Sequence, residues 1–253
     1  MNKLLQTLWR NIVFFVGDVH HVPTFPWVSW GMKKHNMGYD EILEALPMIQ
    51  YGDVGLHRDN GFLSNIAIPG FMKHGWIYVQ DGLKKPSIVE AISQGVIERN
   101  SIYPTYSDYT IILRPLNVSE EERKGACQKA RTIVGEQYDV NFAFDIEKEL
   151  SYYQGLQKEN AGQDLLEAQV GLRQYDPAFS CTEVCSYAWW HKRELLRLYR
   201  SERRGKHCII ADDFLNGSWK IVWMSQSVTL EAAKKLKLHE EGLSMIAAYL
   251  KKR

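Results

Sequence analysis

The chain has 253 residues, 45% of them hydrophobic and 24% charged, with a formal net charge of +1. This is the balance of a globular protein, with neither the basic excess of a nucleic-acid binder nor an acidic solvating tail. Its four cysteines, Cys127, Cys181, Cys185 and Cys208, are too sparse for a disulfide scaffold, so reduced thiols are the simpler expectation.

From the N-terminus, Leu4, Leu5, Leu8, Ile12 and Phe15 recur at helical spacing and predict an amphipathic helix over 1–16. Its apolar run, Ile12 to Val16, is shorter than the ~7–15 residues of a signal-peptide core and the ~20 of a membrane span. The expectation is therefore no signal peptide and no transmembrane segment, with a cytoplasmic location by default. The helix has two candidate roles: packing on the domain, or peripheral contact with a membrane or envelope. His20 to Gly38 is rich in turns, and its adjacent histidines are expected to be solvated or in the core. Tyr39 to Leu46 predicts a short helix ended near Pro47. Tyr51 to Leu56 reads as a strand leaving a turn, and Asn65 to Gly70 as a helix-to-loop transition.

The most strand-like stretch is His74 to Gln80. Asp81-Gly82 follows, then a second apolar run from Ser87 to Ala91, which together are a hairpin pattern. A turn centred on Gly82 sets His74 directly opposite Glu90, where the carboxylate can orient and charge-stabilise the imidazole. A one-residue slip would instead put the two on opposite faces and leave Glu90 to solvent. Further on, Asp108 to Pro115 predicts a strand. Ser119 to Val134 predicts a helix opened by the capping box Ser119-Glu-Glu-Glu122. Gly135 to Phe142 reads as a turn, and the polar, helix-forming residues 146–175 as an insertion.

Phe179 to Trp190 carries the chemistry. Asp176-Pro177 marks a turn, and a helix is expected at or just after Cys181. The sulfur then sits among backbone N–H groups that have no helical partner, which favour a thiolate and can hold an oxyanion. A helix end contributes about 0.3–1 kcal/mol and at most ~2. At ~1.36 kcal/mol per pKa unit that cannot bring a thiol from ~8.5 to well below 7. An imidazolium partner is needed, and the best candidate is His74. The competing reading of Cys181 is a buried, small apolar side chain on an amphipathic helix. Cys185, one turn on, fits that bland role. A metal site from Cys181, Cys185, His74 and His191 is a further alternative, but Cys-x-x-x-Cys is not zinc-knuckle spacing. No metal and no cofactor are expected. Beyond the helix, Lys192 to Lys206 reads as a basic, solvated helix and loop. Asp212 to Leu215 reads as a turn, Trp219 to Met224 as a closing strand, and the remainder to Arg253 as helical.

Several of these pieces, in this order, resemble the YiiX/YebB-like hydrolases. These are circularly permuted members of the NlpC-type papain-like superfamily, related to lecithin:retinol acyltransferase. The matching pieces are Gly52-Asp-Val54, Asn65-Ile-Ala-Ile-Pro-Gly70 leading to Lys73-His-Gly-Trp-Ile-Tyr-Val79, Val89-Glu-Ala91, Gly135-Glu-Gln-Tyr-Asp139 and Phe179-Ser-Cys-Thr-Glu-Val184. Histidine precedes cysteine, the reverse of papain. The resemblance implies an α+β, permuted papain-like (NlpC-type) fold, with an antiparallel sheet or barrel packed against helices, and a hydrolase domain over 51–224. The helical extension over 1–50 and the insertion at 146–175 have no counterpart in that family, and 225–253 reads as a C-terminal helical extension. Carried onto these positions, Cys181 is the nucleophile, His74 its base and Glu90 the third polar residue, with Tyr138 and Thr182 on the oxyanion or substrate side. The implied activity is a cysteine hydrolase or acyltransferase working through an acyl-enzyme, with peptidoglycan peptides or acyl lipids as substrate classes. Ser180 departs from the family's usual aromatic before the cysteine. The other class of function in view is a non-catalytic structural or binding protein, virion- or envelope-associated, on the same fold.

Overall fold

The computed structural model describes residues 20, 21, 28, 29, 36–62, 65, 68, 70–80, 87–100, 107–139, 178–198, 201–203 and 206–253. The expected helix over 1–16, the Asp81-Gly82 and Asp176-Pro177 turns and the 146–175 insertion lie outside these residues, as does half of Asn65 to Gly70.

Two short strands, β1 (His20–His21) and β2 (Val28–Ser29), pair with each other. Helix α1 (Tyr39–Ala45) follows and passes into a 3-10 turn over Leu46–Met48, with Pro47 in its first positions. Next come β3 (Val54–Arg58), β4 (His74–Gln80), β5 (Ser87–Ile92), β6 (Gly95–Asn100) and β7 (Tyr109–Pro115). Helix α2 (Glu120–Arg131) opens on Ser119, whose side chain accepts from Glu122 N–H while the Glu122 carboxylate accepts from Ser119 N–H. Short strands β8 (Gln137–Tyr138) and β9 (Ala178–Phe179) pair in parallel. They lead into α3 (Cys181–Ala188), capped by Ser180 and Glu183. A small hairpin of β10 (Ser201–Arg203) and β11 (Lys206–Cys208) comes next. A 3-10 turn over Ala211–Phe214, strand β12 (Trp219–Met224) and helices α4 (Leu230–Lys235) and α5 (Glu240–Leu250) complete the chain.

The fold is α+β. Six strands form one antiparallel sheet in the order β12-β7-β3-β4-β5-β6. Side chains alternate across a strand, so each strand serves two faces. Val54, Leu56, Ile77, Val79, Val89 and Ile111 point into the larger core, which α2, α3, α4 and α5 cover. Trp76, Tyr78, Ile88, Ile112 and Trp223 point the other way, onto Met37, Ile42, Ala45 and Ile49. Trp76 has room because its opposite residue is Gly55: a Cβ there would lie 2.0 Å from the indole. A sheet covered on both faces explains why β5 reads as a continuous buried run, Ser87 to Ala91, rather than as an alternating one.

The segments expected as extensions pack as parts of this body. Met37 and α1 build the second core, while Val228, Ala233, Leu238 and Ile246 belong to the first. Two expectations need correction. Lys192 to Lys206 is not a solvated helix and loop: Leu196 and Leu198 are fully buried, residues 193–197 are turn, and Ser201–Arg203 pairs with Lys206–Cys208 as β10–β11. The basic composition masked two apolar anchors. Within the expected Gly135 to Phe142 turn, Gln137-Tyr138 is a strand, because β9 offers it a parallel partner.

Candidate active site

Cys181 is the first residue of α3, and its side chain is 4% exposed. The helix packs against β4 and β5, with Cys185 Sγ and Thr182 Cγ2 over Gly75. That contact sets the helix start beside the first residue of β4, His74. Cys181 Sγ lies 3.9 Å from the Lys73 carbonyl oxygen, and the neighbouring His74 imidazole acts on the sulfur electrostatically. His74 Nε2 is 2.9 Å from Glu90 Oε2, which leaves Nδ1 as the nitrogen for the sulfur. Glu90 is 1% exposed, and its other oxygen ion-pairs with the Arg99 guanidinium on β6. On the β3 side, the His57 ring stands 4.7 Å from that of His74, directly across the ladder.

The electrostatics follow from this layout. Burial works against an ionised Cys181. The positive charge and hydrogen bond of His74, with the N–H groups of Gly75 and Thr182 at the sulfur, outweigh it and hold the thiol below its ordinary value. Burial likewise works against a charged His74. The Cys181 thiolate first, then Glu90, more than offset it and hold the imidazolium up to about 10. The two groups thus favour an ion pair. Cys185 behaves oppositely: fully buried, near the Cys181 and Glu90 charges, its thiol is pushed well up. Its Sγ lies 3.6 Å from the Cys181 carbonyl within the helix. Cys127 is also buried and donates to the Tyr78 carbonyl at 3.3 Å.

Tyr138 comes to the sulfur through β8. Its partner Phe179 stands two residues before Cys181, and Asp139 N–H donates to the Phe179 carbonyl at 3.1 Å. Burial, with the Cys181 sulfur next, pushes the Tyr138 phenol well above its usual range and keeps it a donor. Thr182 divides its groups. Its hydroxyl donates to the Ile209 carbonyl at 2.6 Å, while its backbone N–H favours the ionised sulfur.

Three neighbours of this site had no place in the sequence reading. Arg99 sits on β6, an edge strand with few apolar residues; the turn glycine Gly95 before Val96-Ile97 is the signal that marks it. His57 becomes a neighbour through register alone. Asp212, 3% exposed, accepts from Phe71 N–H at 2.6 Å and Met72 N–H at 2.7 Å, and nothing local to residue 212 announces that.

Among the described residues, no group of three or more His, Cys, Asp or Glu side chains is arranged to hold a metal ion, and no helix is long and apolar enough to cross a membrane. Comparisons with protein-family models, with curated proteins and with solved structures return no match.

Proposed function

We propose that this protein is a thiol hydrolase or acyltransferase acting on an amide or ester through Cys181, His74 and Glu90. The observation that carries the reading is a cysteine at a helix start beside an imidazole whose Nε2 is held at 2.9 Å by a buried carboxylate, with the thiol lowered by that imidazole. A structural cysteine has no use for that arrangement, as buried Cys185 illustrates.

In the proposed reaction the proton resides on His74 and the Cys181 thiolate attacks the acyl carbon. The carbonyl π electrons move to oxygen, where Tyr138 and backbone N–H groups at the helix start serve as donors. Collapse of that oxyanion expels the amine or alcohol, which takes its proton from His74, and leaves a Cys181 acyl-enzyme. Water or another acceptor, deprotonated by His74, then releases the acyl group. Glu90 keeps the imidazole oriented throughout. The histidine-before-cysteine order, the antiparallel sheet and the cysteine-bearing helix on one face support a permuted papain-like fold resembling the YiiX/YebB-like hydrolases. On that reading peptidoglycan peptides and acyl lipids are the substrate classes to test.

The deciding experiment is mass spectrometry after treatment with an activated acyl probe, comparing wild type with Cys181→Ala. The expected result is an acyl adduct on the Cys181 peptide that is absent from the variant. A wild-type protein that acquires no adduct at Cys181 belongs to the non-catalytic class.

A further inference from the structure

The two halves of the candidate site come from distant parts of the chain: His74 from β4 and Cys181 from α3. One short segment, Ile209 to Asp212, grips both. At its start, the Ile209 carbonyl accepts from the hydroxyl of Thr182, the residue after the cysteine, at 2.6 Å. At its end, the Asp212 carboxylate accepts from the backbone N–H groups of Phe71 and Met72, at 2.6 and 2.7 Å. Those residues lie two and three positions before His74, and the carbonyl of the intervening Lys73 touches the Cys181 sulfur.

The gripped loop has little freedom elsewhere. Gly70 has φ +95°, and a Cβ there would lie 2.6 Å from Asp212 Oδ2, so carboxylate and loop are closely fitted. The Phe71 carbonyl accepts from Arg58 at 3.0 Å, and Lys73 N–H donates to the His57 carbonyl at 3.0 Å. The segment is itself fixed from behind. His239 Nδ1 accepts from Gly242 N–H at the start of α5, so its Nε2 carries the proton donated to the Asp212 carbonyl at 2.9 Å.

We infer that Ile209–Asp212 is a brace that sets the thiol against the imidazole, with Asp212 as a positioning residue for His74. This rests on the thiol chemistry proposed above. Asp212 touches no reacting atom. It acts through the loop, where two charge-assisted hydrogen bonds to a buried carboxylate hold the backbone that delivers the imidazole. The inference also links α5 to the site through His239, although that helix contributes no group to the chemistry.

The test compares Asp212→Asn and Thr182→Val with wild type, and with Arg114→Met as a control that loosens the fold away from the site. Two readouts are taken: the pH midpoint of Cys181 alkylation, and amide hydrogen exchange at Phe71 and Met72. Asp212→Asn puts an amide NH2 where one acceptor oxygen was. It is expected to lower exchange protection at whichever of Phe71 and Met72 faces the NH2, to move the alkylation midpoint towards that of an ordinary thiol, and to lower acyl transfer by about 10- to 100-fold. Thr182→Val keeps the shape, loses only the hydroxyl, and is expected to move the midpoint the same way while Arg114→Met leaves it in place. Should Asp212→Asn not fold, Thr182→Val decides. Wild-type midpoints in the folded brace variants, or an equal shift in the control, overturn the inference. Unchanged exchange protection in Asp212→Asn overturns it independently of the thiol chemistry. A wild-type Cys181 as unreactive as Cys185 instead sinks the proposed function.

Discussion

Glu90 reaches His74 on the diagonal. The carboxylate is 2.9 Å from Nε2, yet Ile77 pairs with Val89 and Tyr78 with Ile88, a register that, continued, sets Glu90 level with Trp76. Diagonal neighbours are still within reach of a long side chain. A shift of two residues also keeps both groups on one face, where a shift of one would have parted them. The same diagonal leaves the second carboxylate oxygen facing β6, where Arg99 meets it.

In the proposed chemistry the thiol and imidazole act as a pair, so their losses should not add. His74→Ala is expected to return Cys181 alkylation to the pH range of an ordinary thiol, ~8.5, and to reduce acyl transfer nearly as far as Cys181→Ala. The double variant should then be scarcely worse than either single one. Superimposable alkylation curves for wild type and His74→Ala would show that the imidazole does not tune this sulfur.

Alkylation and acyl transfer should part company at high pH. Alkylation needs only the thiolate, and the lowered thiol moves its onset below that of an ordinary thiol, with no loss on the alkaline side. The proposed acyl transfer would also need the imidazolium to protonate the leaving group. Because His74 is raised to about 10, turnover should hold through neutral pH and fall as pH passes about 10. Rate profiles of both reactions on one preparation check this. An alkaline limb near the ~6.5 of a free imidazole contradicts it.

Glu90→Gln keeps a hydrogen-bonding group beside Nε2 and removes the charge. Glu90 raises His74 through its hydrogen bond and its charge, so the alkaline limb of turnover should move below about 10 in the variant. The ring should remain in place, since the amide oxygen still accepts. An unmoved limb would mean that Glu90 orients the ring without tuning it.

Gly55 is where the sheet admits its largest side chain. Gly55→Ala would drive a methyl into the Trp76 indole, which a Cβ would meet at 2.0 Å, so a loss of about 1–3 kcal/mol is expected by urea denaturation. In a Trp76→Leu background the same substitution should cost much less, since the obstructing ring is gone.

Asp53 is fully buried and bonded to Arg114 Nε at 2.8 Å and to its Nη2 at 2.7 Å. Arg114→Met leaves that carboxylate without its counter-charge and should destabilise the protein by about 3–5 kcal/mol. Adding Asp53→Asn should recover part of the loss. A single variant within ~1 kcal/mol of wild type would show that the pair contributes little.

What the sequence by itself determined was local. Ser119 to Glu122 capped a helix because those side chains reach their own first turn, and the helix expected at or just after Cys181 begins at that residue. The strands His74–Gln80 and Trp219–Met224 were legible because their apolar runs are long. The face shared by His74 and Glu90 was legible too, since a two-residue period survives a slip of two. Tertiary structure decided everything that depends on pairing. It chose the diagonal register, in which a bulge between Tyr78 and Gln80 shifts the count along the hairpin. It brought Arg99 in from an edge strand that buries little, and His57 in from the opposite side of the ladder. It turned Thr182 away to hold Ile209, and it set Asp212 against two amides 141 and 140 residues distant in the chain. A buried hydrogen bond across such a separation leaves no periodicity to read, because its partners become neighbours only when the sheet and its helices close on one core.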